Sequence, residues 1–402
     1  MVKYLVQGCL LSIVCIVPLH AQKLDEAFLH ASAAMQQQAY SLAVREILSV
    51  PEKERTPAML FALGECYYHS GQYDEATAVF ELPQLRDSPE AQLYVARVYA
   101  IGAQPEKAAG YLQKYLSQRD KLSEWELQLD PALEKMERSK EWRILWEKQW
   151  YTRTEQKAAE VAALIKRKKY ADALVIANEA LAGEKTSGKL YALRARAYEG
   201  LEQYEPALES YRNAIQLRGT SPEYYTAAAS VAVYLKKYAE ALDYMQHAVR
   251  LAPYRLDAYL QRASVFRLNK QYEEARKDIR FYFTYFPMDN KALYQMGLAE
   301  TEAGNPLSAI DYLTMLIDRD KTVAAYFTAR AAAFIKAGNY RQADEDLSQA
   351  LDLDPRSSET WLQKGIALYQ EDDVEEACHC WQKALTLGSR EAASHIYKYC
   401  GR

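Results

Sequence analysis

One motif constrains the fold of this chain more than any other: an aromatic residue followed three positions later by alanine. It recurs at steps of 34 residues or a multiple of 34, as Tyr170/Ala173, Tyr204/Ala207, Tyr238/Ala241, Tyr272/Ala275 and Tyr340/Ala343. Pro306/Ala309 and Val374/Ala377 fill the missing steps. A fixed period of this length is typical of stacked units that bury their apolar faces only against neighbours. The chain is therefore predicted to be a repeat array.

Each unit has the pattern of two helices. Tyr191, Ala195 and Tyr198 follow the i, i+4, i+7 spacing of one buried helical stripe. A turn such as Gly338-Asn339 then ends the first helix. Small residues recur twelve positions before the motif alanines, at Ala195, Ala229, Ala263, Gly297, Ala331 and Gly365. These patterns predict an all-α fold in which small side chains let paired helices approach closely.

Two stretches match the pattern of a known repeat family in most detail. Leu63-Gly64-x-x-Tyr67 with Ala76 and Phe80 is one, and Trp361, Gly365, Ala377 and Trp381 form the other. The pattern resembles the tetratricopeptide repeat. The resemblance implies an all-α superhelical solenoid of about ten helical hairpins, with a C-terminal capping helix that covers the last apolar face.

The predicted organisation has five segments. They are a signal peptide at 1–21, three divergent repeats at 22–121, a Trp-rich helical junction at 122–153, seven 34-residue repeats at 154–391, and the capping helix at 392–402. The junction is predicted to be an irregular hairpin, with an extended piece at 125–129 and a helix that opens at Asp130-Pro131. Its Trp residues either pack the mismatch between the two blocks or bind a partner, and we favour packing.

The N-terminus indicates export. Tyr4 to Val17 carries no charge, and Pro18-Leu19-His20-Ala21 precedes Gln22, the expected mature start. The apolar run is shorter than the roughly 20 residues of a spanning helix. We expect an exported protein without an integral membrane segment after cleavage, in the periplasm of a Gram-negative bacterium or peripheral to the outer membrane. Few, scattered cysteines fit that compartment better than a disulfide scaffold.

Charge and motif content argue against several functions. Lys plus Arg total 50 against 54 Asp plus Glu, so no basic excess favours nucleic acid. No His-Glu-x-x-His, phosphate loop or nucleophile elbow occurs. Cys378-His379-Cys380 cannot converge on one ion, because consecutive helical residues diverge by about 100°. We expect no catalytic, cofactor-binding or metal-binding residue, and no enzyme.

The resemblance implies that a protein or peptide partner binds the concave surface formed by the first helices. A second stripe on those helices provides the candidate contacts Arg196, Ser230, Arg267, Tyr294 and Tyr369. Basic turns such as Lys236-Lys237 offer another surface, but turn lysines are usually only solvated. The predicted function is a non-enzymatic scaffold of the bacterial envelope. The alternative is a glycan-binding surface protein built on such hairpins, although its usual long insertions and lipidated cysteine are missing from the sequence.

Overall fold

The computed structural model describes residues 19–118 and 121–401, and in those ranges it contains 23 α-helices and no β-strand. The all-α prediction is confirmed. The chain divides into two compact units, residues 1–150 and 151–402. Residues 1–18 of the predicted signal peptide lie outside the described residues, and the first described helix begins at Leu19.

The first unit contains eight of these helices. Their bounds are α1 Leu19–Gln36, α2 Tyr40–Ser49, α3 Pro57–His69, α4 Tyr73–Phe80, α5 Pro89–Ile101, α6 Pro105–Leu116, α7 Glu124–Gln128 and α8 Lys140–Trp146. The helices α1 to α6 pack as three consecutive pairs. Side-chain oxygens of Thr56 and Ser88 accept the Met59 and Ala91 backbone N–H groups, and a proline follows each cap. Local capping therefore begins α3 and α5.

Residues 122–153 differ from two expectations. The piece predicted to be extended at 125–129 lies mostly in α7, because Ser123 and Glu126 form a capping box that starts a helix there. Asp130 does not open a long helix. Its Oδ1 accepts the Ala132 N–H at 3.0 Å in a turn, which leads into a 3₁₀ turn at Glu134–Met136.

The Trp side chains of this region pack onto one another and onto the backbone. Trp142 and Leu145 are buried. The Trp142 and Trp146 rings meet edge to face with centroids 5.4 Å apart. Trp150 lies beyond α8 and donates its Nε1–H to the Leu145 carbonyl at 2.7 Å. These contacts agree with a packing role for three of the four rings.

The second unit is a run of helix pairs followed by one further helix. Its helices are α9 Arg153–Lys166, α10 Tyr170–Gly183, α11 Gly188–Gly200, α12 Tyr204–Leu217, α13 Pro222–Tyr234, α14 Tyr238–Leu251, α15 Leu256–Leu268, α16 Tyr272–Tyr285, α17 Asn290–Ala303, α18 Pro306–Arg319, α19 Ala324–Ala337, α20 Tyr340–Leu353, α21 Ser358–Gln370, α22 Val374–Thr386 and α23 Arg390–Tyr399. Each odd-numbered helix up to α21 packs against the next helix as a hairpin, and each hairpin packs against the following one.

The motif alanines form the seam of these hairpins. Ala173, Ala207, Ala241, Ala275, Ala309, Ala343 and Ala377 all have no solvent exposure. The partner helix supplies the second small residue. At Gly365 an added Cβ would lie 2.4 Å from Trp381 Nε1, so the indole occupies the space that the glycine leaves. The predicted close approach of paired helices is therefore confirmed.

In two hairpins of the second unit, a salt bridge joins the two helices of that hairpin. Arg262 Nε and Nη2 donate to the two carboxylate oxygens of Asp278 at 2.7 and 2.8 Å. Arg330 makes the same two-point contact with Asp346 at 2.8 and 2.7 Å. Arg330 also donates to Thr314 of the preceding hairpin at 3.1 Å. Such bidentate pairs are among the strongest polar contacts, and they fix the two helices of a hairpin to each other.

The C-terminal helix carries a disulfide that the sequence analysis did not predict. Cys378 of α22 is bonded to Cys400, which follows α23 directly, with Cα atoms 5.7 Å apart. Cys66 and Cys380 are free and buried. On α23, Ala392 is buried, and Ile396 and Tyr399 pack on the cluster around Trp381. The helix thus covers the last hairpin.

Candidate functional site

The first helices of the second unit make direct contacts with one another between α9 and α11 and from α15 to α21. The helix α17 contacts both α15 and α19, and α19 contacts α21. Side chains also join neighbouring first helices. The Tyr294 and Tyr326 rings are 5.6 Å apart, and the Thr328 and Thr360 hydroxyls are 3.1 Å apart. We call the partly exposed side of these first helices the first-helix face. It contains Arg196, Ser230, Leu260, Arg267, Tyr294, Leu298, Thr328, Ile335, Ile366 and Tyr369.

Arg196 and Ser230 lie at the N-terminal end of the first-helix face. Both residues are exposed, and Ser230 Oγ donates to the Thr226 carbonyl one turn earlier at 3.1 Å. Glu199, one turn beyond Arg196, accepts the Tyr211 hydroxyl. Burial raises the pKa of Glu199, against the opposing effects of this hydrogen bond and of the Arg196 charge. Of these two charged groups, the Arg196 guanidinium is the exposed one.

Arg267 and Tyr294 lie near the middle of the face, on neighbouring helices. Arg267 Nη1 is ion-paired with Glu302 of α17. Only 15% of the Arg267 side chain is exposed, against 38% for Glu302, and the Arg267 Nε is buried without a hydrogen-bond partner. The Tyr294 ring is half-buried. Burial raises the pKa of its hydroxyl, and the nearby Arg267 charge opposes that rise.

A buried ion pair joins α16 to α17. Arg276 of α16 donates through Nη1 to Glu300 Oε2 at 2.7 Å, and Asn305 Nδ2 donates to the same oxygen at 2.8 Å. Glu300 belongs to the last turn of α17, two residues before Glu302. The contact ties that turn to the neighbouring hairpin. It thereby helps to hold the carboxylate that pairs with Arg267.

Tyr369, the candidate contact nearest the C-terminus, packs against the capping helix. Its ring is 4.2 Å from the Tyr399 ring of α23 and 5.8 Å from the Trp381 ring, measured between centroids. The capping helix therefore lies over the C-terminal end of the first-helix face. Sequence reasoning treated that helix as a cover for packing residues, and it missed that the cover extends to Tyr369.

Sequence reasoning also missed Glu302 and Tyr326. Glu302 follows Arg267 by one repeat and one residue, and Tyr326 follows Tyr294 by 32 residues. Neighbouring first helices place such positions side by side. A search for opposite charges or aromatic pairs about one repeat apart could have found both.

The basic turn at Lys236-Lys237 is the other candidate surface. Lys237 is ion-paired with Glu205 at 2.7 Å and Lys236 is solvent-exposed, as expected of a solvated turn.

In the described ranges no three His, Cys, Asp or Glu side chains are grouped to hold a metal ion. None of the helices in the described part of the chain is both long and apolar enough to cross a bilayer.

Comparisons with known proteins match separate parts of the chain. Tetratricopeptide-repeat family models match residues 28–84, 328–391 and 291–322. A model for subunit 3 of the anaphase-promoting complex, or cyclosome, matches residues 166–248. The protein SGT1 homolog of Bos taurus is 33% identical over 88 residues, which is 22% of this chain and 26% of that protein. The small glutamine-rich tetratricopeptide repeat-containing protein 2 of Mycosarcoma maydis is 29% identical over 94 residues, 22% of this chain and 27% of that protein.

The chain thus spans about a quarter of the length of these curated relatives. A crystal structure of a tetratricopeptide repeat protein from Parabacteroides merdae aligns with a TM-score of 0.56 and 17% identity, over 61% of this chain and 98% of that one. This likeness shows the fold. The matched family models therefore indicate tetratricopeptide repeats at residues 28–84, 291–322 and 328–391, and the stacked hairpins agree with that repeat.

Proposed function

We propose that this protein is a non-enzymatic scaffold that binds a peptide segment or partner protein on the first-helix face of its second unit. The observation that carries the proposal is the central part of that face. There an ion-paired arginine, an aromatic ring and aliphatic side chains lie side by side on consecutive helices and remain partly exposed. Tetratricopeptide-repeat proteins generally mediate protein–protein interactions, which agrees with this reading.

The physical basis is the mixture of anchors. Tyr and Arg are enriched among the few residues that dominate binding energy at protein interfaces. Half-buried side chains such as Leu298 and Ile335 leave apolar surface exposed to water. Covering this apolar surface with a partner favours association through the hydrophobic effect. Because Arg267 is already largely shielded from water, a partner that contacts it would incur a smaller additional desolvation cost.

Photocrosslinking tests the site directly. A photoreactive phenylalanine analogue would replace Tyr294 in one variant and Lys236 in a matched control, in cells that contain the natural partners. We expect a discrete protein crosslink from position 294 and none from position 236. A crosslink from position 236 alone would place the interaction on the turns. Crosslinks from neither position would contradict the scaffold at this face.

The location in the bacterial envelope, and a role in an envelope complex, belong to the same proposal. They are supported by the apolar N-terminal run and the Ala21-Gln22 junction. We predict that the mature protein begins at Gln22 and fractionates with periplasmic contents. Mass spectrometry of the N-terminal peptide checks this, and an uncleaved or acylated N-terminus would contradict it.

A further inference from the structure

The helix α23 is attached to the rest of the second unit by few side chains. Ala392 is its only buried residue among those described, and His395, Ile396 and Tyr399 are half-buried. Isolated helices shorter than about 12–15 residues are marginal in water, so a ten-residue helix depends on its contacts. The neighbouring helix α22 buries four residues by comparison.

Beneath α23 lies an aromatic cluster that the helix shields from solvent. Trp381 has no solvent exposure. The His395 ring stacks on the Trp381 indole at 4.9 Å, and the Tyr399 ring lies 5.7 Å from it. Tyr399 also covers Tyr369 at 4.2 Å. Removal of α23 would therefore expose one edge of the core together with one end of the first-helix face.

The disulfide joins the far end of α23 to α22. Cys378 precedes the start of α23 by twelve residues, and Cys400 follows its last residue. The bond closes a chain segment with a sequence separation of 22, which contains the whole helix. A covalent link of this kind removes much of the entropy that the segment would gain on release.

Of the four cysteines in the described ranges, the two bonded ones are the more accessible. Cys378 and Cys400 are half-buried, whereas Cys66 and Cys380 have no exposure. Burial raises the pKa of the Cys380 thiol to about 12, so this neighbour stays protonated and is a poor nucleophile toward the disulfide. The disulfide is therefore a partly exposed target for an external thiolate, and the buried Cys380 thiol is a weak competitor in exchange.

From these contacts we propose that α23 is a disulfide-latched cover over Trp381 and Tyr369, and that a dithiol reductant releases it. One thiolate of the dithiol attacks a sulfur of the Cys378–Cys400 bond and forms a mixed disulfide, and the other cysteine leaves as a thiolate. The second thiolate of the dithiol then displaces the remaining cysteine. The dithiol becomes a cyclic disulfide, and protonation leaves two cysteine thiols. Two electrons pass from the dithiol to the protein.

Hydrogen exchange of the full-length protein tests the latch. Amide exchange is followed by mass spectrometry, before and after reduction by dithiothreitol. We expect exchange in residues 390–400 to accelerate at least about tenfold on reduction, while residues 358–386 keep their protection. The Cys400→Ser variant is the matched control. It should show the fast exchange without reductant and no further change when reductant is added.

Three results would overturn the proposal. Unchanged exchange in residues 390–400 after complete reduction would show that packing alone holds the helix. Equal acceleration across residues 358–400 would show that the bond stabilises the whole last hairpin instead of a cover. Thiol labelling of Cys378 and Cys400 in the unreduced, purified protein would show that the latch does not form. None of these outcomes depends on partner binding at the first-helix face.

Discussion

Single residues determine the turn between the two helices of each hairpin in the second unit. One residue of every turn has a left-handed backbone, and these residues recur every 34 positions as Lys168, Glu202, Lys236, Lys270, Gly304, Gly338 and Asp372, with φ between 57° and 86°. Only two of the seven are glycine, the residue that adopts this conformation without strain. The non-glycine turns are therefore expected to reduce stability slightly.

This difference predicts opposite effects of two substitutions at equivalent turn positions. Gly338→Ala should destabilise the protein by about 1 kcal/mol, because alanine is strained at positive φ. Lys236→Gly should stabilise it by about 0.5 kcal/mol, since relief of strain exceeds the entropy cost of glycine. Urea denaturation midpoints check both. A lower midpoint for both variants would show that backbone strain does not govern these turns.

A second pair of substitutions separates close packing from helix propensity. Gly365→Ala should cost about 1–3 kcal/mol, because the added methyl group would overlap the rigid Trp381 indole. Gly110→Ala is the control. Gly110 lies inside α6, and apart from the adjacent backbone of that helix nothing lies within 4 Å of an added Cβ, so alanine should stabilise the helix by about 0.5–1 kcal/mol. Thermal unfolding followed by circular dichroism measures both shifts, and a stabilised Gly365→Ala variant would contradict the packing argument.

At the scale of helices, structure was predicted well where the 34-residue period holds and poorly where it is absent. The buried alanine seam follows from the period, since every hairpin repeats the same close approach. Residues 122–153 have no repeat, and short-range capping decides their structure. Ser123 and Glu126 carry the local sequence signal of a capping box, and it outweighs the alternation that suggested an extended piece.

The contribution of the Arg262–Asp278 salt bridge to stability can be tested by a double substitution. Arg262→Met should destabilise the second unit by about 3 kcal/mol, because it leaves the largely buried Asp278 carboxylate without its partner. The equivalent positions one repeat later hold Met296 and Tyr312. Arg262→Met combined with Asp278→Tyr therefore introduces a combination that the array already accommodates.

We expect the double variant to recover most of the lost stability in urea denaturation. The single Asp278→Tyr variant completes the cycle and isolates the interaction energy of the pair. A double variant as unstable as Arg262→Met alone would mean that the Met/Tyr combination of the next hairpin cannot replace the Arg262–Asp278 pair.

For the whole chain, the fold class was predictable, but the contacts of the first-helix face were predictable only in part. Arg267 and Tyr294 were expected on neighbouring first helices, and the structure places them there, near the partners Glu302 and Tyr326. The covering of Tyr369 could not be read from the repeat, because α23 lies outside its register. The disulfide was equally hidden, since pairing Cys378 with Cys400 requires the distance between a position inside α22 and the C-terminal end of α23.

The last prediction compares the two surfaces of the second unit. Once a partner has been identified by crosslinking, Arg267→Ala and Tyr294→Ala should each weaken its binding by about 10-fold or more, because each removes an anchor from the centre of the face. Replacing both Lys236 and Lys237 by Glu should change affinity by less than about threefold, since exposed turn charges contribute little. Isothermal titration calorimetry measures all three, and thermal midpoints within a few degrees of the unsubstituted protein confirm that each variant remains folded. If the lysine variant alone lost binding, the turns would be the interaction surface, because the same experiment would have shown the first-helix face to be dispensable.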